Sequence, residues 1–223
     1  MNLKHLGIIA DGNRRWAKAQ GLPTIEGHKK GLETIEKLIE AAGEAGIEFI
    51  TFYVFSTENW GRSTEEVSYI MKLAESRILK YAEKLAKRNA RMFVLGSRAR
   101  ISDSLAESIK KAEEITKDCT GITVSLCFNY GGEQEIADAA SAVVARGEEI
   151  TPESIRANLY HPEIPDIDMV VRTSGEERIS GFMLWRASYA ELMFIEKYFP
   201  EMEKEDIAEI VEEYNSRTRR FGK

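Results

Sequence analysis

Residues 6–16 read Leu6-Gly7-Ile8-Ile9-Ala10-Asp11-Gly12-Asn13-Arg14-Arg15-Trp16, a short apolar run that breaks into an acidic, glycine-containing turn rich in arginine. The run reads as a buried strand, and the same unit recurs downstream. Residues 29–45 predict a helix, because Leu32, Ile35, Leu38, Ile39 and Ala42 keep one face apolar. Phe49 to Phe55 follows as a strand rich in β-branched and aromatic residues. Ser63 or Thr64 then caps a long helix to about Arg88, with Glu66 placed for a capping box on Ser63. Its stripe is Val67, Ile70, Met71, Ala74, Ile78, Leu79, Ala82 and Leu85.

The alternation continues with a strand at 91–95, a helix at 102–117 and a strand at 122–128. Helices at 133–146 and 152–158, short strands at 168–172 and 192–195, and a helix at 203–218 complete it. Strand–helix alternation predicts α/β class: one domain over residues 1–223 with a mainly parallel central sheet and helices on both faces.

Composition narrows the function. The 223 residues carry 31 Lys+Arg against 37 Asp+Glu, a formal charge of −6, which disfavours a general nucleic-acid binder. Cys119 and Cys127 lack metal-ligand spacing and read as small buried hydrophobes in a reducing compartment. No signal peptide is visible, and no apolar run reaches the ~18 residues of a membrane span. The expectation is a cytoplasmic protein. Signatures of dinucleotide-binding, P-loop, hydrolase-elbow and zincin chemistry are missing, as is Asp-Asp-x-x-Asp.

In parallel sheets, ligands sit beyond the carboxyl ends of the strands. Three segments there are polar and contain both glycine and arginine: Asp11–Trp16, Ser56–Arg62 and Arg172–Gly181. Asp11 suits a hard divalent cation, Gly12 admits close approach of an anion, and Arg14 and Arg15 offer planar bidentate donors. A helix starting near Asn13 would add free N–H groups. Arg172 and Arg178, with Thr173, Ser174 and Ser180 between and beside them, form a plausible diphosphate clamp in which charge-assisted bonds contribute about 1.5–3 kcal/mol each. The competing reading pairs these arginines with Glu176 and Glu177 as a solvated loop.

These segments resemble the cis-prenyltransferases, the undecaprenyl diphosphate synthase family. The likeness rests on six ordered motifs: Asp11-Gly12-Asn13-Arg14-Arg15-Trp16-Ala17, Gly27-His28-Lys29-x-Gly31, Phe55-Ser56-Thr57-Glu58-Asn59-Trp60-x-Arg62, Asn129-Tyr130-Gly131-Gly132, Arg172-Thr173-x-Gly175-Glu176-x-Arg178-Ile179-Ser180 and Leu184-Trp185-x-x-x-Tyr189-Ala190-Glu191. It extends from Ile8 to the terminal Arg220-x-Gly222.

The resemblance implies Mg²⁺-dependent addition of isopentenyl diphosphate to an allylic diphosphate, forming a Z double bond and releasing pyrophosphate. It implies Asp11 and Glu191 as Mg²⁺ ligands, Glu191 being reached from the partner region or another strand end. Gly12, Asn13, Arg14 and Arg15 would cradle the allylic diphosphate, with Trp16 and His28 beside it. Asn59 matches the residue tied to removal of the isopentenyl proton. An amide is a poor base, so Asn59 is expected to orient substrate or water while phosphate or Asp11 takes the proton. Ser56, Thr57, Glu58, Trp60 and Arg62 would form a loop closing over the substrates. Arg172, Arg178 and Ser180 would bind the isopentenyl diphosphate. Arg220 and Gly222 would reach the same site across a homodimer. The long helix after Ser63 would help line a hydrocarbon tunnel, and a lipid product allows peripheral membrane contact.

Thr24 and Gly181 depart from the family pattern, which often has arginine and asparagine there; this leaves primer and acceptor open. Two alternatives to the prenyltransferase reading remain. A non-catalytic partner subunit is expected to lose Asp11 and its neighbours, and a metal-dependent phosphohydrolase needs a second carboxylate near Asp11.

Overall fold

A computed structural model describes residues 2–217. The strands are β1 (His5–Ile9), β2 (Phe49–Ser56), β3 (Arg91–Leu95), β4 (Thr123–Tyr130), β5 (Met169–Arg172) and β6 (Glu191–Phe194). The helices are α1 (Asn13–Ala19), α2 (Thr24–Glu44), α3 (Thr64–Lys87), α4 (Asp103–Ile115), α5 (Gly132–Ala145), α6 (Pro152–Arg156) and α7 (Lys204–Ser216). All six strands are parallel, in the order β3-β4-β2-β1-β5-β6. The central strands are buried on both faces, which is why β1 and β5 read as continuous runs rather than alternations.

The two faces are covered differently. One packs Ile8, Ile50, Phe52, Val124 and Val171 against α2, α3, α4 and α7 in the main core. On the other, Tyr53, Phe93, Cys127 and Val170 meet Ile164 and Ile167 from the stretch before β5 and Phe182 and Met183 from the largely irregular segment between β5 and β6. Helices α5 and α6 make a smaller cluster with Trp185 of that segment. The expected helical cover is thus partly replaced by turns, with left-handed backbone at Ser174, Gly175, Ser180, Gly181 and Met183.

Most boundaries fall within a few residues of expectation, and one differs for a clear reason. Helix α2 begins at Thr24, not near 29. Its first turns pack through glycine: a Cβ on Gly27 would lie 2.0 Å from the Asn13 carbonyl oxygen, and one on Gly31 2.7 Å from Asn13 Oδ1. Backbone-to-backbone packing leaves no apolar periodicity to read. Its consequence is functional, because it seats α1, and with it Asn13–Trp16, directly against α2.

The register also separates two expected partners. Glu191 opens β6 opposite Met169, whereas Asp11 lies beyond the β1 end, where Ile9 pairs with Arg172 and Arg172 with Phe194. The two carboxylates occupy opposite ends of the sheet, about 10 Å apart along the strands alone. Within one chain, Glu191 is therefore not at a strand end beside Asp11; it pairs instead with Arg217 at 3.1 Å.

Candidate active site

The carboxyl ends of β1, β2, β4 and β5 open into a cleft of about 1450 Å³. Asp11, Gly12, Asn13, Arg14, Arg15, His28, Ser56, Thr57, Glu58, Asn59, Arg62, Arg172 and Ser180 all line it, as do Thr24 and Gly181. Trp16, Trp60 and Arg178 do not line it, and Arg220 and Gly222 lie outside the described residues.

Asp11 sits between two guanidinium groups. Its Oδ1 accepts from the Gly12 N–H at 2.7 Å and pairs with Arg15 at 3.2 Å, while Oδ2 accepts from Arg172 at 3.0 Å. Burial pushes the carboxyl up, but the Arg172 hydrogen bond and the charges of Arg15 and Arg172 outweigh it and hold Asp11 below its ordinary value. Asp11 is therefore ionised at neutral pH. The turn that presents it requires glycine: Gly12 has φ +101°, and a Cβ there would lie 2.1 Å from Ser174 Oγ.

Arg172 is nearly buried at the end of β5 and donates through Nη1 to the Arg178 carbonyl and to Ser180 Oγ. Arg15 donates to the Ser174 carbonyl and pairs with Glu176, which also pairs with the exposed Arg178. The loop pairing weighed from the sequence thus exists for Glu176, yet it leaves Arg172 facing Asp11. Three buried side-chain atoms here lack partners: Asn13 Oδ1, Arg172 Nε and Ser174 Oγ. Unsatisfied polar atoms are rare in folded chains, and these three come from α1, the end of β5 and the loop after it, all at the carboxyl end of the sheet.

Sequence reasoning missed Glu66. As expected, Ser63 Oγ accepts from the Glu66 N–H, but the Glu66 carboxylate does not return to complete a capping box. It receives Arg62 at 2.9 Å, His28 at 3.2 Å and Arg14 at 3.7 Å. One acidic side chain thereby gathers basic groups from α1, α2 and the turn after β2. Burial lowers the His28 pKa more than Glu66 raises it, with Arg62 and Arg14 adding to the lowering, so the imidazole is neutral at pH 7. The only sequence signal was an acidic residue at the helix start, which the macrodipole explains equally well.

A second pocket, about 450 Å³ and mainly apolar, lies beside this cleft. Ala10, Asn13, His28 and Val54 border both spaces. Beyond them Leu32, Ile35, Ile70, Ala74, Ile78 and Phe128 form its wall between α2, α3 and the sheet. The arrangement suits an amphiphile with a polyanionic head and a hydrocarbon tail.

Comparison with known proteins gives the same picture. A family model described as putative undecaprenyl diphosphate synthase matches residues 9–222. An isoprenyl transferase of Rickettsia bellii is 44% identical over 223 residues, covering 100% of this chain and 99% of that protein. A trans,polycis-polyprenyl diphosphate synthase of Thermobifida fusca, described as (2Z,6E)-farnesyl diphosphate specific, is 41% identical, covering 98% of this chain and 80% of that protein. Among solved structures, lavandulyl diphosphate synthase from Lavandula x intermedia, in complex with dimethylallyl diphosphate, superposes with TM-score 0.93 at 29% identity, covering 100% and 99% of the two chains. A probable undecaprenyl diphosphate synthase from Campylobacter jejuni gives 0.86 at 35% identity, with both chains covered fully.

Proposed function

The chain belongs to the undecaprenyl diphosphate synthase family of prenyltransferases, and from that membership we propose that it condenses isopentenyl diphosphate with an allylic prenyl diphosphate to give a Z-configured product. The observation that supports this reading is a basic cleft lying against an apolar pocket, with Asn13 and His28 lining both. The relatives are named as enzymes, and nothing favours a non-catalytic partner subunit.

The allylic diphosphate lies over Gly12–Arg15 at the start of α1, within reach of His28 and Arg62, with its hydrocarbon along the α2–α3 pocket. Each buried methylene contributes about 0.8 kcal/mol, which draws the growing chain inward. Arg172, Ser180 and Arg178 serve the isopentenyl diphosphate. Arg178 must leave Glu176 to do so, an inexpensive move for an exposed pair. Bond formation joins the isopentenyl terminal carbon to the allylic C1 as the allylic C–O bond breaks; pyrophosphate leaves and the isopentenyl unit loses one proton. The Asn59 Oδ1 already accepts from the Ser56 N–H, so its amide orients the reacting groups and an oxyanion takes the proton.

The residues fit Mg²⁺. This ion takes one or two carboxylates together with substrate phosphate oxygens, and Asp11 is an ionised carboxylate at the diphosphate cradle. Among the described residues no three His, Cys, Asp or Glu side chains gather into a metal site of their own. When bound, the ion stabilises charge developing on the departing pyrophosphate. Arg15 and Arg172 turn from Asp11 toward phosphate as the ligand arrives. Glu191 joins only across a homodimer. Within one chain Glu191 accepts from Arg217, which also donates to the Leu192 carbonyl. Among the described residues no helix is long and apolar enough to cross a membrane, and contact with a lipid surface through the product is peripheral.

The test is incubation with labelled isopentenyl diphosphate and a panel of allylic primers, with Mg²⁺ or with a chelator. The expected result is one pyrophosphate released per isopentenyl unit, a new Z olefin by NMR, and no turnover with chelator. Absence of elongation with every primer by folded protein overturns the reading, and chelator-insensitive elongation overturns the metal.

A further inference from the structure

Asn129 belongs to a motif that the reading above leaves without a task. It stands near the end of β4, the strand between β3 and β2, and only 3% of its surface is exposed. Its amide is fully committed. Oδ1 accepts from the Trp60 indole N–H at 2.7 Å, and Nδ2 donates to the Ser97 and Ala99 carbonyls, both at 2.7 Å. An indole N–H can only donate and carbonyls can only accept, so the partners themselves fix the amide orientation. The position demands one acceptor and two donors on a short side chain. It also demands a left-handed backbone, φ +51°, which asparagine tolerates better than most residues.

The indole is held on other sides too. Phe55 meets it edge-on at 5.4 Å between centroids, and the Arg100 guanidinium lies 4.4 Å over its ring. Trp60 itself does not line the cleft, but Thr57, Glu58, Asn59 and Arg62 around it do. Close packing continues at the next residue but one, where a Cβ on Gly131 would stand 2.6 Å from Thr57 Oγ1. The turn after β2 therefore forms the cleft wall on its inner side and is fastened on its outer side to the ends of β3 and β4.

We propose that Asn129 is a positioning residue for the proposed condensation: through Trp60 it fixes the Thr57–Arg62 wall of the cleft and registers it against the loops following β3 and β4. Asparagine is selected here by the donor–acceptor pattern and the backbone together. Aspartate would set a carboxylate oxygen against two carbonyls, and leucine would strand the indole N–H and both acceptors. The proposal rests on the reading of this cleft as the site of condensation.

The decisive experiment is a double-mutant cycle on the full chain with Asn129→Gly and Trp60→Phe. Glycine keeps the positive φ while deleting the amide, and phenylalanine keeps an aromatic ring against Phe55 and Arg100 while deleting the indole N–H. Each single variant should lower kcat/KM by about tenfold, the value of one or two hydrogen bonds. The double variant should lose no more than either single one, because both break the same link. In ¹H–¹⁵N spectra the Trp60 indole resonance, one of three in a chain with three tryptophans, should move in Asn129→Gly while those of Trp16 and Trp185 stay. Unchanged kinetics in the single variants, or multiplicative losses in the double variant, overturn the proposal. Should Asn129→Gly fail to fold, Trp60→Phe decides alone, since wild-type kinetics there exclude the link. An inactive wild-type chain would instead refute the condensation reading, so the two failures are distinguishable.

Discussion

Replacing Asp11 by asparagine keeps the shape of the turn and removes one negative charge from between two guanidinium groups. Bare Coulomb energy at 3.0 and 3.2 Å is about 5 kcal/mol per pair at an effective dielectric near 20. The carboxylate is about a third exposed, so screening and desolvation leave on the order of 1 kcal/mol each for stability. Binding and catalysis should then move in different directions. The allylic diphosphate no longer competes with Asp11 for Arg15, so affinity for a non-cleavable allylic thiodiphosphate should hold or improve. Turnover should fall by about 10²–10³, the usual loss when a preorganised electrostatic partner of the transition state is removed. Calorimetric titration with the analogue, beside steady-state release of pyrophosphate, separates the two effects. A loss in turnover below tenfold, or one matched by an equal loss in affinity, would refute the assignment of Asp11 to leaving-group stabilisation.

Three further outcomes follow from local geometry. Gly12→Ala should lower stability by about 2–4 kcal/mol in urea unfolding, since its Cβ meets Ser174 Oγ at 2.1 Å in a left-handed turn; a change under 1 kcal/mol would contradict this. Tyr81→Phe should raise stability by about 1 kcal/mol, seen as a Tm increase of a few degrees, because the Tyr81 hydroxyl is buried without a partner beside the apolar pocket; a lower Tm would show that the hydroxyl is satisfied. His5 is fully buried, its Nδ1–H donating to the Pro165 carbonyl and its Nε2 accepting from Thr51, and desolvation lowers its pKa to about 4. The unfolded chain protonates first, so stability should fall as pH drops from about 6.5 to 4, by up to about 3 kcal/mol. The gap between wild type and His5→Gln should narrow over that window, and a constant gap would contradict the assignment.

The sequence exposed the sheet because parallel strands buried on both faces are continuous apolar runs, and it exposed the cleft because polar, arginine-bearing turns follow those runs. Features built from backbone contact or from diverted side chains stayed hidden. Gly27 and Gly31 seat α2 on Asn13 without any apolar period. Glu66 looked like a cap and instead collects Arg14, His28 and Arg62. Arg186 forms a buried ion pair with Glu135 at 2.8 Å, both about 1% exposed, although nothing local distinguishes it from a surface arginine. Glu191 was legible as a motif residue, but its position at the start of β6 follows only from strand register. Local pattern reports what a residue's own element buries; long-range pairing decides which charges meet.

The most direct test of the account is a crystal structure of the chain with Mg²⁺, isopentenyl diphosphate and a non-cleavable allylic thiodiphosphate. The expected density places the allylic diphosphate on Gly12–Arg15 with its hydrocarbon between α2 and α3, the second diphosphate on Arg172 and Ser180, and the metal on Asp11. Diphosphates bound away from these turns, or a hydrocarbon outside the α2–α3 pocket, would contradict it.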